Sequence, residues 1–428
     1  MRKILLATAA GFAALVANGA TPAPAYAQAA QVTGQTPQPG LSLTVSGRFR
    51  FHGAWVDQSG DSANVATLNH QDGDKLAKYD FNTYGRLRFD LSGRNEAGLI
   101  YGGRLEARMA ATGGGSPTMF FRRVTGFVGT PTLGQLRFGS GNVMAVEQMH
   151  VGHIMGSIAT GLLDGDASDF FYTGGGFLAA NNFWYSSSVV NRSTAIGYYS
   201  PQFAGFDIGL SFAPSEKGFL GDCGDAAMRN CDRIERVGGG GTNANQVRNI
   251  VDAMLRYRGT FGGVGVAASF GGRMASTADA TNGATAFKNP WGLIGGAEVT
   301  FAGFTVGGLM HGGRYQRSFA PLQDTAAGGT KDSAFGWQIG ARYTFGAFTV
   351  GAAYHELKTE GDQGNPADLR ERGFGLGGSY SLGPGLALFA EYLYSRVRES
   401  GRDFFNYQVG TQDKMTANVV LVGVGIGF

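Results

Sequence analysis

Every odd position from Leu41 to Trp55 is apolar or glycine: Leu41, Leu43, Val45, Gly47, Phe49, Phe51, Gly53 and Trp55. The even positions read Ser42, Thr44, Ser46, Arg48, Arg50, His52 and Ala54. A period of two sends successive side chains to opposite faces of a strand, so this segment has one greasy face and one wet face. The pattern recurs in Leu87, Phe89 and Leu91 against Arg86, Arg88 and Asp90, and in Leu99, Tyr101, Leu105 and Met109 against Arg104, Glu106 and Arg108. It returns at Phe335, Trp337, Ile339, Tyr343 and Phe345 against Gln338, Arg342 and Thr344. The chain ends on Val420, Val422, Val424, Ile426 and Phe428, with Gly423, Gly425 and Gly427 in the other phase.

Alternation bounded by turn residues predicts sixteen strands, at 41–55, 80–93, 98–110, 120–128, 132–140, 193–200, 206–213, 249–259, 263–271, 291–301, 304–313, 334–345, 348–358, 371–382, 386–398 and 417–428. Their connections alternate between short turns and long polar stretches, which leaves both termini on one side. A soluble sandwich also alternates, so alternation alone does not decide. Aromatics reaching the strand ends, arginine and glycine on the wet phase, and unequal connections predict an all-β fold: a transmembrane antiparallel barrel of about sixteen strands. Its last strand should pair with its first, because an open edge is not tolerated in lipid. Arg122 and Arg123 are adjacent within 120–128, so one of them is expected to face outward or to sit at an interface. An additional strand at 182–190 would make seventeen, which parity disfavours.

Composition narrows the class further. Glycine supplies 72 of 428 residues, aromatics 12% and charged residues only 16%. That balance excludes a disordered chain and, without a G-X-Y period, a collagen-like one. Past residue 30 no apolar run of about 18 residues remains for a membrane helix. Arg2 and Lys3, the apolar run Ile4 to Val16 and Ala25-Tyr26-Ala27 predict a signal peptide over 1–27. A short periplasmic segment at 28–40 and a barrel over 41–428 would follow. The formal charge is +3, far from the basic excess that nucleic-acid binding requires. Cys223 and Cys231 lie in a polar, Gly-rich stretch, where an oxidising compartment favours a local disulfide. Zinc would need two further ligands, and no histidine falls between residues 154 and 310.

The longest connection, about 141–192, is apolar in part, from Val143, Met144 and Val146 to Phe170, Phe171 and Tyr172. Such a loop either packs on a neighbouring subunit or folds inward against the wall, and a barrel of this size has a lumen wide enough to hold it. It carries Glu147, Asp164, Asp166 and Asp169, and strand phase sets Arg48, Arg50, Arg86, Arg88, Arg104, Arg108 and Arg137 on the wet wall. Carboxylates facing guanidiniums across a narrow water path would screen solutes by charge and size. The plainer alternative is solvated charge with no role in selectivity.

Other chemistry is weakly represented. Asp164 to Asp169 clusters oxygens but lacks the glycine and glutamate of a calcium loop. Glu147, His150 and His153 share a spacing of three, which short polar helices often show without a metal. No G-x-S-x-G or H-E-x-x-H occurs, and no cofactor is expected.

The segments SLTVSGRFRF (42–51), GFVGTPTLGQLRFGSGN (126–142), YYSPQFAGFDIGLSF (198–212) and the terminal VGVGIGF (422–428) together resemble the general diffusion porins of Gram-negative outer membranes, especially the alphaproteobacterial kind. The resemblance implies a homotrimeric sixteen-stranded channel with an inward-folded third loop, passive diffusion of small hydrophilic solutes and ions, and a terminal Phe428 read by the barrel-assembly machinery. It departs from the enteric members in lacking a Pro-Glu-Phe-Gly-Gly-like stretch in the third loop and in having the cysteine pair. A substrate-specific channel on the same barrel, or a barrel enzyme, are the rival readings. Arginine excess on the wall predicts a weak anion preference.

Overall fold

The computed structural model describes residues 40–59, 77–110, 118–154, 193–216, 237–238, 247–277, 279–280, 287–315, 319–323, 333–360, 368–399 and 414–428. The segment expected to be a signal peptide, Asp164, Asp166, Asp169, the two cysteines and the 182–190 segment lie outside the described residues. Sixteen antiparallel strands form one closed barrel. They are β1 (Gly40–Gln58), β2 (Tyr79–Arg94), β3 (Ile100–Ala110), β4 (Thr118–Thr130), β5 (Gly134–Ser140), β6 (Thr194–Tyr199), β7 (Phe206–Ser215) and β8 (Val247–Phe261). The second half comprises β9 (Val264–Thr277), β10 (Trp291–Phe301), β11 (Phe304–Arg314), β12 (Ala334–Phe345), β13 (Phe348–Glu360), β14 (Asp368–Gly383), β15 (Leu386–Glu399) and β16 (Lys414–Gly427).

Each strand expected from alternation is present. β9 runs six residues beyond its expected end, with Gly271 and Gly272 continuing the ladder opposite Ile294 and Leu293. A Cβ at Gly272 would lie 2.5 Å from the Gly292 carbonyl oxygen, so close strand approach explains the glycine. Short turns join the hairpins at one end. At Ala302-Gly303 both residues have positive φ, 47° and 85°, the geometry that matches strand twist in a two-residue hairpin.

Closure is made by β16 on β1, with Phe49 opposite Ile426. Phe428 extends that seam: its amide donates to the Gly47 carbonyl at 3.1 Å, and the Gly47 amide donates back at 2.9 Å. The Phe428 ring covers Gly47, where a Cβ would stand 2.5 Å from its Cζ. Leu43, Phe81, Leu105, Phe270, Val306 and Ile339 are exposed on the greasy face, as a lipid-facing surface requires.

The opposite phase is not polar throughout, contrary to the expectation of mostly Arg, Gly, Ser and Thr. On β13–β16, Leu357, Leu369, Leu393, Val397, Met415, Val419 and Leu421 share that phase and are buried. They belong to one apolar cluster that also includes Val143, Met144, Val146 and Met149. The middle of β16, from Val419 to Val422, is therefore apolar on both faces, a pattern that alternation counting reads as a single greasy face.

Candidate functional site

Strand register assembles the arginines. Arg48 on β1 stands opposite Arg86 on β2, which stands opposite Arg108 on β3. Like charges placed directly opposite one another repel, yet three guanidiniums occupy this one row. Tyr84 lies among them, with the guanidinium carbons of Arg48, Arg86 and Arg108 at 5.1, 5.2 and 4.7 Å from its ring centre. The rings of aromatic residues attract cations through their negative face, and Arg86 also donates to the Tyr84 hydroxyl. Across the barrel seam Arg48 and Arg50 oppose Gly427 and Gly425, which leaves room for their long side chains.

The adjacent row is balanced instead. Glu106, fully buried, accepts from Arg88 at 2.8 Å, Arg123 at 3.2 Å and Arg122 at 3.5 Å, with Arg86 Nε 3.4 Å away. Arg104 pairs bidentately with Asp90 at 2.6 and 3.2 Å. The register shifts between Glu106 and Ala107, so that Arg122 is an extra residue in β4. This bulge corrects the expectation that Arg122 or Arg123 faces outward: both reach Glu106. A bulge re-aims side chains by inserting one residue against its partner strand.

A second arrangement occupies the far wall. After β5 the chain forms α1 (Ala145–Met149) and continues to Ile154. Met144 supplies no side-chain cap, and a helix start needs acceptors for its free amides. Barrel residues provide them: the Ala145 amide donates to Ser211 Oγ at 2.8 Å and the Val146 amide to Asp252 Oδ2 at 3.0 Å. Further along, the Val151 amide donates to Ser269 Oγ at 2.9 Å. Asp252 is fixed in turn by Arg273, through bonds of 2.7 and 2.9 Å between two fully buried side chains. Register puts Ser211 opposite Asp252 and Asp252 opposite Arg273, in the phase opposite the greasy face.

Glu147 is buried on this helix, and burial pushes its carboxyl up to about 8 despite the nearby Arg273. Burial lowers His150 to about 4 and His153 to about 3, and the neighbouring imidazole lowers His153 further. Their rings are 6.0 Å apart, and among the described residues no metal-binding group is formed. Arg137 on β5 reaches the same segment, donating to the Gln148 side-chain oxygen at 3.2 Å while its guanidinium covers the Tyr199 ring at 4.7 Å. Arg50 lies 6.0 Å from the Phe389 ring centre.

The structure thus brings together Arg48, Arg86 and Arg108 as one row, and Arg88 with Glu106 as the next. Tyr84, Arg122, Arg123, Asp252 and Arg273 were not singled out from the sequence as site residues. The adjacent arginines in an alternating strand were the available signal for the bulge. His52, His311 and His355 are buried strand histidines. His355 bonds Glu371 at 3.2 Å.

A closed sixteen-stranded barrel, greasy outside and carrying rows of fixed charge in the other phase, is the architecture of an outer-membrane channel. The Gram-negative porin family model matches residues 9–400, and the chain belongs to that family. It is similar in fold to the anion-selective porin of Comamonas acidovorans, with a TM-score of 0.57, 19% identity, and 91% of this chain and 100% of that one covered. It is also similar to the outer-membrane channel DcaP of Acinetobacter baumannii, with TM-score 0.55, 14% identity and coverage of 91% and 98%. The trimer form of OmpT from Vibrio cholerae gives TM-score 0.51, 14% identity and coverage of 91% and 99%. No curated protein sequence matches the chain. The protein is an outer-membrane diffusion channel.

Proposed function

We propose that the water path runs between the arginine wall of β1–β4 and the third connection, which folds into the lumen and narrows it, and that the path favours anions. The observation that carries this reading is the Arg48–Arg86–Arg108 row, three guanidiniums in register without a carboxylate in the row. Fixed charge lining a water-filled constriction raises the local concentration of counter-ions. The hydrogen bonds from Ala145, Val146 and Val151 to the wet phase of β7–β9 support the inward course of the third connection. Asp164, Asp166 and Asp169 would stand on its later part, and Glu147 would anchor it. The anion-selective relative is consistent with this preference.

Assembly as a homotrimer is supported by the OmpT trimer form. Phe428, already part of the closing seam, would serve as the residue read by the assembly machinery. Transport needs no cofactor or catalytic step. The test is planar-bilayer conductance of the mature chain under a KCl gradient. Large ohmic steps with a reversal potential displaced toward the chloride equilibrium potential are expected. A reversal potential on the potassium side would refute the anion preference, and small currents blocked by one solute would favour a substrate-specific channel.

A further inference from the structure

We propose that the sixth of the long connections, between β11 and β12, is a second segment folded onto the inner wall, and that its Phe319 is a positioning residue for the third connection. Arg273, Ala334 and Thr359 are buried in the inner phase, while Met274, Phe335 and Lys358 beside them are exposed. Register sets Arg273 opposite Gly292, Gly292 opposite Gly313 and Gly313 opposite Ala334. Thr359 follows as the residue beyond the Phe335–Lys358 pair. The row is a shelf with no side chain larger than a methyl between Arg273 on β9 and Thr359 on β13. Glycine in a strand leaves space for another part of the chain to approach closely.

Two rings of the sixth connection span that shelf, and both are fully buried. At one end the Thr359 hydroxyl donates to the Tyr315 carbonyl at 3.1 Å, and the Tyr315 hydroxyl bonds His311 Nδ1 on the inner phase of β11. At the other end the Phe319 ring covers the Arg273 guanidinium, with 5.6 Å between the ring centre and Cζ. The two rings lie 6.0 Å apart. Leu322 and Gln323 then pair with Lys288 and Phe287 of the neighbouring connection. Phe319 holds φ at 71°, a conformation that is costly for a bulky residue and persists only where its surroundings enforce it. The backbone is bent to deliver this ring.

The ring acts through Arg273. That guanidinium gives Nε and Nη2 to Asp252, and Asp252 Oδ2 accepts the Val146 amide at the start of α1. Its Nη1 is buried with no hydrogen-bond acceptor, so the attraction of an aromatic face for a cation offsets part of its desolvation. The same ring keeps water from the pair, and an ion pair is stronger and less screened in a dry place. Tyr315 and Phe319 belong to one apolar cluster with Val143, Met144, Val146 and Met149. Both inward segments are therefore fastened through one buried pair. The effect on current rests on the reading that the third connection narrows the water path; the positioning itself does not.

The test is hydrogen–deuterium exchange of the full chain in detergent, read by mass spectrometry of fragments spanning 141–154, with single-channel conductance alongside. Phe319→Ala should speed exchange over 141–154 about tenfold. Phe319→Leu, apolar but without a ring face, should speed it about threefold, and Phe319→Tyr should match wild type. Raising KCl from about 0.1 M to about 1 M should leave wild type unchanged and speed Phe319→Ala further, because an exposed ion pair is screened and a buried one is not. If Phe319→Ala does not fold, the Leu variant and its salt response decide. Wild-type exchange in folded Phe319→Ala or Phe319→Leu would overturn the proposal. So would equal exchange in the Leu and Tyr variants, which would reduce Phe319 to packing. Faster exchange with unchanged conductance would uphold the positioning role and contradict the third connection as the constriction.

Discussion

Both walls of the barrel are charged on the wet phase, but their charges are arranged differently. On β7–β9 the register sets a serine, an aspartate and an arginine side by side, and every charge in the row has a partner. That row holds a helix start and is buried. On β1–β3 the equivalent row is three arginines around a tyrosine. Paired charge in a low-dielectric place costs desolvation that the pair must offset, and it serves to fix geometry. A row of like charge does the opposite: its members repel one another within the wall and leave a field in the adjoining water. The first row is architecture, and the second is the selectivity device of the function proposed above.

The comparison is broken most severely at Asp252. Asp252→Ala leaves Arg273 buried and unpaired and removes the acceptor for the Val146 amide, a loss of about 3–5 kcal/mol. Protease cleavage within 141–154 and a larger conductance are the expected readouts; wild-type cleavage would mean that the clamp does not hold the segment. Next in size is Glu106→Gln, which takes the carboxylate from four guanidiniums. Unfolding stability in detergent should fall by about 1.5–3 kcal/mol, and the chloride-to-potassium permeability ratio should rise. An unchanged ratio would remove this row from the water path.

The seam offers a smaller effect. Gly47→Ala drives a methyl into the Phe428 ring, at a cost of about 1–3 kcal/mol. Gly425→Ala, whose Cβ would meet nothing closer than 3.9 Å, should be near neutral. Equal assembly yields for the two variants would show that Phe428 does not need Gly47.

The smallest effect is on pH. Glu147 holds its proton up to about 8 when docked but ionises near 4.5 when freed, so docking weakens as pH rises between those values. His150 and His153 are depressed to about 4 and 3 from the ordinary 6.5, so their contribution is complete above 6.5 and is lost as pH falls toward 4. Two imidazoles outweigh one carboxylate below 6.5, and the carboxylate acts alone above it. Cleavage of 141–154 should therefore be slowest near pH 6.5, rising several-fold by pH 4.5 and by pH 9. Glu147→Gln should abolish only the alkaline arm; a profile unchanged by it would place the titration elsewhere.

Much of the barrel was legible because period two is a local property. Leu41 to Trp55 declares its own two faces, and register follows once neighbours close through short turns. The β4 bulge was only half legible: Arg122-Arg123 signalled a break in phase, but the partner that draws both inward, Glu106, lies on the preceding strand. The clamp was not legible at all. Ser211 and Ser269 cap amides 66 and 118 residues away in the chain, and a serine on a wet strand face looks the same whether it meets water or a helix. The buried leucines of β13–β16 were hidden for a related reason, since an apolar residue in the inner phase reads as a lapse in alternation until something packs on it.

The most direct measurement is the reversal potential of wild type and of Arg48→Ser/Arg86→Ser/Arg108→Ser under the same KCl gradient. Wild type should reverse toward the chloride potential, and the triple variant should shift toward zero or to the potassium side with its conductance retained. Identical reversal potentials in the two channels would contradict the assignment of the arginine row as the selectivity device.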